Sequence, residues 1–170
     1  MSRKNARMRH GSAWTDQWYR ILRWRERVRQ SRDEFRSDGL GTEGYRDEVF
    51  ALCQAIWHLK DWFRNDLALD PLIGASVEKW INDHGHLLKV AADVANGSKH
   101  MTQHAWQPRA GGSGQTRNDV HVLIGEGVRT TFYIEDARNG QDLEAVALAD
   151  ACMDEWRLFL KEKGLLPPAG

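Results

Sequence analysis

Apolar residues recur at helical spacing along most of the chain. Long stretches with this pattern cover about 13–36, 42–66, 87–97 and 142–163, and a shorter one covers about 71–84. Spacings of three and four residues bring apolar side chains onto one helix face, which can pack on a core. The first stretch has these apolar positions: Trp14, Trp18, Ile21, Val28 and Phe35. The pattern predicts a mainly α fold, a helical bundle of four main helices plus a short helix.

Between residues 119 and 136 the period changes from helical to alternating. Val120, Val122 and Ile124 are separated by single residues, and a second alternating run follows the segment Gly125–Gly127. Two such runs around a glycine-rich turn predict a β-hairpin, inserted here before the last helix. A lone hairpin is only marginally stable in water, so it is expected to pack on the bundle or to pair with another chain.

The chain is expected to form one domain with loose ends. Its 170 residues can bury one substantial core. Residues 1–12 lack periodicity and are predicted to be a flexible basic arm, residues 13–163 a single helical-bundle domain, and residues 164–170 a loose tail. No stretch reaches the roughly 20 apolar residues of a membrane span, and no apolar segment of a secretion signal follows the first basic residues. These features predict a cytoplasmic protein without membrane contact.

Two cysteines and a set of absent motifs narrow the chemistry. Cys53 and Cys152 each fall inside a helical pattern and are expected to be buried free thiols. The sequence has no P-loop and no GxGxxG, CxxC or HExxH motif. No cofactor is therefore expected.

Basic residues are concentrated at the start of a chain whose formal net charge is zero. Residues 1–36 hold eleven Lys and Arg against four acids, a net charge of +7, so the rest carries −7. The predicted first helix contains these arginines: Arg20, Arg23, Arg25, Arg27, Arg29, Arg32 and Arg36. Because the guanidinium fork binds phosphate with two parallel hydrogen bonds, this helix is predicted to bind nucleic acid. The alternatives are a solvated helix face, or pairing with acids elsewhere, such as Asp47 and Glu48.

Two polar clusters interrupt otherwise apolar helical segments. One is His58-Leu59-Lys60-Asp61-Trp62, in which His58 and Asp61 share a helix face. The other is Asn96-Gly97-Ser98-Lys99-His100, in which Asn96 and His100 share a face if the helix continues beyond residue 97 to His104. We expect the two clusters to meet in one site. The alternatives are a partly exposed polar pair in the first cluster and a helix terminus in the second.

The two motifs, HxxDW and NGSKH, resemble those of a family of small bacterial and phage-associated proteins over roughly residues 45–160. More loosely, the helical bundle and the Asn-x-x-x-His spacing are similar to the HEPN superfamily, which includes RNA-cleaving toxins and phage-defence effectors. Asn96 and His100 match the polar and histidine positions of the HEPN motif, whereas its arginine position falls on Ala95. The resemblance implies a component of a defence or toxin system that binds RNA or cleaves it without a metal.

That resemblance assigns roles to the candidate residues. His100 would be the acid–base group for the 2′-hydroxyl of RNA, and Asn96 would position the phosphate. Lys99 would replace the missing arginine as the stabilising cation, although lysine lacks the planar fork. His58 and Asp61 would complete the catalytic set.

Two other kinds of function remain open at this level. A metal site could form from His58, Asp61, His100 and His104, although their spacing is not a recognised ligand pattern. Alternatively, the chain is a non-catalytic interaction or regulatory module that binds a protein partner through its basic first helix. In either case the eight tryptophans and the charge split predict a homodimer formed through helices.

Overall fold

A computed structural model describes residues 13–33, 43–97, 116–123, 127–136 and 138–168. The predicted arm 1–12, the glycine-rich loop and residues 98–100 lie outside these ranges. The described elements follow one another in this order: α1 Ala13–Asp33, α2 Glu43–Asn65, α3 Pro71–His84, α4 His86–Gly97, β1 Thr116–Leu123, β2 Gly127–Asp136, β3 Gln141–Glu144 and α5 Ala145–Glu162. The mainly helical fold with a hairpin before the last helix is confirmed.

The last helix starts later than the periodicity predicted. Residues 141–144 form β3 instead of the first turn of α5, and β3 pairs antiparallel with β2, with Leu143 opposite Ile134. The sheet therefore has three strands in the order β1-β2-β3. Gly140 makes the turn between β2 and β3 at a φ of 63°, a conformation that glycine adopts without strain. Glu144 then caps α5, because its side chain accepts a hydrogen bond from the Ala147 N–H at 3.0 Å.

Helices α1 and α2 pack against each other in antiparallel directions. At one end the Trp14 N–H donates to Asp66 Oδ2 at 3.1 Å, which satisfies a donor in the first turn of α1. At the other end Arg27 Nε donates to Glu48 Oε1 at 2.9 Å. Between them the buried amide of Gln17 donates to the Ala55 carbonyl at 2.8 Å. These contacts fix the register of the two longest helices.

An aromatic cluster centred on Phe63 joins four helices. The Phe63 ring lies 5.2 Å from Trp14, 5.5 Å from Trp156 and 5.2 Å from Phe159, measured between ring centroids. Trp80 of α3 contacts Phe159 at 5.4 Å and donates to Glu162 at 2.7 Å. Aromatic pairs at these separations add to the free energy gained from burial alone.

The sheet packs on the bundle through one face of β2. Phe132 and Ile134 are fully buried, and the Phe132 ring meets Tyr45 and Phe50 of α2 edge to face. The expectation that the hairpin packs on the bundle is therefore met. Cys53 and Cys152 are buried free thiols, as predicted. Within the described ranges no helix is both long enough and apolar enough to cross a membrane.

Candidate functional site

The arginines of α1 form two rows on different sides of the helix. Arg20, Arg23 and Arg27 are three and four residues apart and therefore share one face. Their neighbours belong to α2, since Arg20 lies over the Trp62 ring at 5.5 Å and Arg27 binds Glu48. The other row contains Arg25, Arg29 and Arg32, also spaced by four and three.

All three arginines of the second row have carboxylate partners. Arg25 forms an ion pair with Asp150 of α5, and Arg32 lies 3.9 Å from Glu144 at the end of β3. Arg29 pairs with Glu26 at 2.8 Å, and this hydrogen bond holds the pKa of Glu26 below its ordinary value. For this row the structure favours the account in which the basic helix pairs with acids of the same chain.

The first row keeps more of its positive charge. Arg27 is neutralised by Glu48, whose side chain is 8% exposed. Within the described ranges neither Arg20 nor Arg23 has a carboxylate within ion-pair distance, and both side chains are exposed. Two guanidinium groups on one face are thus available to an anion from solution.

These residues line an open groove, which we name the arginine groove. One part has a volume of about 310 Å³ and is lined by Arg20, Arg23, Trp24 and Arg27. The adjoining part, of about 570 Å³, adds Tyr19 and several polar side chains. The two carboxylates in this part are paired, Glu48 with Arg27 and Glu26 with Arg29. The uncompensated charge of the groove is positive.

The first predicted cluster, around His58 and Asp61, is organised by the lysine between them. Lys60 Nζ donates to Asp61 Oδ1 at 2.7 Å, approaches Glu78 Oε1 at 3.1 Å and lies 4.8 Å from the Trp57 ring centroid. Lys60 is buried, and this network ties α2 to α3. His58 is half-buried on the same helix. The carboxylate of Asp61 therefore forms an ion pair with Lys60, a contact that the His–Asp spacing did not suggest.

The second predicted cluster is described only in part. Asn96 is half-buried in the last described turn of α4. Lys99 and His100, and His104 of the alternative metal site, lie outside the described residues. The meeting of the two clusters and the acid–base role of His100 stay predictions.

A histidine–carboxylate cluster that sequence reasoning missed joins α4 to the sheet. His86 Nε2 lies 2.8 Å from Oδ2 of the buried Asp136, and Asn139 Nδ2 donates to the same oxygen at 2.8 Å. The Arg138 N–H donates to Asp136 Oδ1 at 3.2 Å. Burial raises the pKa of Asp136, but the hydrogen bonds, first from His86 and then from Asn139 and Arg138, bring the net pKa below its ordinary value.

Glu155 of α5 completes this junction at the start of α4. Its carboxylate accepts from the N–H groups of Leu87 at 3.0 Å and Leu88 at 2.9 Å, as a capping acid does at a helix N-terminus. Burial raises the pKa of Glu155 against the lowering effect of these two donors. His86 Nδ1 is enclosed and has no hydrogen-bond partner within the part of the chain that the structure describes. The enclosure of this ring nitrogen favours a structural junction over a catalytic pair that substrate can reach.

The described side chains include no group of three or more His, Cys, Asp or Glu that could hold a metal ion.

The comparison with known proteins adds no assignment to this geometry. No protein-family model, no curated protein and no solved structure matches the chain.

Proposed function

We propose that this protein binds nucleic acid through the arginine groove of α1, with RNA as the ligand that the HEPN resemblance implies. The observation that carries the proposal is the division of the arginines into a row paired with carboxylates and a row in which Arg20 and Arg23 stay uncompensated. The charge of the second row is compensated by carboxylates of the same chain, so we assign phosphate binding to the first row.

The spacing of the row suits a phosphate backbone. Arg20 and Arg23, the two uncompensated arginines, are three residues apart, which is about 4.5 Å along a helix that rises 1.5 Å per residue. They share one face of α1. A planar guanidinium can donate two hydrogen bonds to one phosphate, so this row can hold neighbouring phosphates of one strand. Phosphate contacts of this kind are independent of base sequence.

Removal of Arg23 is expected to weaken nucleic-acid binding where removal of Arg25 does not. Arg23→Gln should raise the Kd for a labelled RNA about tenfold, since hydrogen bonds to charged groups contribute about 1.5–3 kcal/mol. It should also lower the slope of log K against log salt by about 0.7, the value for one phosphate contact on a single strand. Fluorescence anisotropy titrations at 50, 100 and 200 mM salt measure both quantities.

Arg25→Gln is the matched control, because Arg25 belongs to the other row and pairs with Asp150. Its Kd should stay within twofold of the original protein. Equal losses for the two variants would refute the assignment to the first row. Undetectable RNA and DNA binding at 50 mM salt would remove nucleic acid from the partners of this protein.

Cleavage is the second step of the same proposal and depends on the cluster around His100. If His100 is the acid–base group, His100→Ala should abolish cleavage of the bound RNA in the presence of a metal chelator while the Kd is retained. Intact RNA after prolonged incubation with the original protein would mean that the protein binds RNA but has no nuclease activity.

The homodimer is part of the HEPN-like proposal. It is tested by measuring the molecular mass of the protein in solution at micromolar concentration.

A further inference from the structure

We infer that the arginine groove selects single-stranded over double-stranded nucleic acid by stacking an unpaired base beside the bound phosphates. This inference rests on the proposed function and names the form of the ligand. The groove has aromatic side chains beside its arginines, and α1 lies between other helices.

Aromatic rings of α1 and α2 lie beside the guanidinium groups of this face. Arg27 lies over the Trp24 ring at 5.7 Å, and Arg20 lies over the Trp62 ring at 5.5 Å. Trp24 and Trp62 are half-buried, and Tyr19 is 40% exposed on the groove. Proteins that bind single strands combine a basic groove for the backbone with aromatic or arginine planes on which bases stack. A duplex offers the same phosphates, but its bases are already stacked on each other.

The part of the groove beside Trp24 has room for a base. Its volume is about 310 Å³, at the lower end of the range for small-molecule pockets. It is bounded by three guanidinium groups and one indole, and a base that stacks on Trp24 takes the place of Arg27 over that ring. This composition fits one nucleotide, with the base toward Trp24 and the phosphate toward Arg23.

Packing against two neighbouring helices disfavours entry of α1 into a duplex groove as a recognition helix. The major groove of B-form DNA is about 12 Å wide and admits one helix of about 10–12 Å diameter. Here α1 is in contact with α2 on one side, through Arg27 and Glu48, and with α5 on the other, through Arg25 and Asp150. Packed helices lie about 8–10 Å apart, so the combined width exceeds that of the groove. The major groove of A-form RNA is narrower still.

The test compares three ligands of one sequence with the full-length protein. They are a labelled 12-nucleotide RNA, the same strand annealed to its complement, and the same strand with abasic sites at its central positions. We expect the single strand to bind at least tenfold more tightly than the duplex, and the abasic strand to lose about tenfold in affinity, as expected for one lost stacked base.

Two variants assign the stacking to Trp24. Trp24→Leu should bind the intact and the abasic strand equally, at the lower affinity, while its duplex Kd stays within twofold. Trp24→Phe keeps an aromatic plane and should restore most of the difference between the two strands. Because the duplex Kd must be retained, a general loss of stability, which would weaken binding of all three ligands, does not imitate the result.

The outcomes separate this inference from the proposed function. If the original protein binds duplex, intact strand and abasic strand equally, phosphate binding stands and the selection of single strands is wrong. If Trp24→Leu still distinguishes intact from abasic strands, the base stacks elsewhere and the inference is overturned. If none of the three ligands binds at 50 mM salt, both the function and the inference fall.

Discussion

Replacement of Asp136 by alanine is expected to lower the free energy of unfolding at pH 7 by about 3 kcal/mol, the cost of leaving several buried donors without their acceptor. The Asp136 carboxylate is buried and serves His86, Asn139 and the Arg138 N–H. Among the described residues, these hydrogen bonds go to no other carboxylate. Urea denaturation followed by circular dichroism measures the difference.

The effect of Asp136→Ala should also depend on pH in a defined direction. The pKa of Asp136 is lowered in the folded protein. Its stabilising contribution is therefore fully present above the unfolded pKa of about 3.9 and is lost as the pH falls through the folded pKa. The difference in the free energy of unfolding between the original protein and the variant should become smaller below about pH 4. Glu155 is present in both proteins, and its pKa is shifted in the opposite direction.

Asp154→Ala is the control for this experiment. The Asp154 side chain is 72% exposed and, among the described residues, pairs with Arg157 one turn away, so its loss should change stability by less than about 0.5 kcal/mol. Should Asp136→Ala prove as mild as this control, the junction between α4 and the sheet would be dispensable for the fold.

A methyl group added at Gly74 is expected to destabilise the protein by about 2 kcal/mol. A Cβ at this position would lie 2.9 Å from Arg64 Cα and 2.9 Å from the Phe63 carbonyl oxygen, both backbone atoms of α2. Backbone cannot rotate away as a flexible side chain can, so α3 would have to move off α2. The better helix propensity of alanine, about 0.5–1 kcal/mol, does not offset this cost.

Gly97 provides the matched control for Gly74→Ala. It also lies in a helix, but a Cβ there meets nothing within 4 Å. Gly97→Ala should be neutral or stabilising by up to about 1 kcal/mol. Thermal unfolding of the two variants side by side measures the contrast. Equal midpoints would mean that the close approach of α2 and α3 relaxes at little cost.

The helical elements could be predicted because their apolar period is a local property of the sequence. The third strand could not be predicted in this way. Gln141-Asp142-Leu143-Glu144 is short and polar, and its acids resemble the first turn of a helix. What makes it a strand is the pairing of Leu143 with Ile134 across the Gly140 turn, and that partner is set by the rest of the fold.

The same distinction between local pattern and long-range contact applies to the candidate site. The sequence predicted a basic first helix, but it did not show which of its arginines would be paired with carboxylates. Asp150 and Glu144, which take Arg25 and Arg32, are more than 100 residues away. The His86–Asp136 contact spans 50 residues and follows no local motif. Such pairs depend on tertiary packing, which no periodicity encodes.

The two buried cysteines can serve as chemical probes for the separation of α2 from α5. Burial raises the pKa of Cys53 to about 12, and burial together with Glu155 and Cys53 raises the pKa of Cys152 well above its ordinary value. Because the thiolate is the reactive form, both sulfurs are protected from alkylating and oxidising reagents while α2 and α5 stay packed. The rate at which a thiol reagent consumes them therefore counts how often these two helices separate.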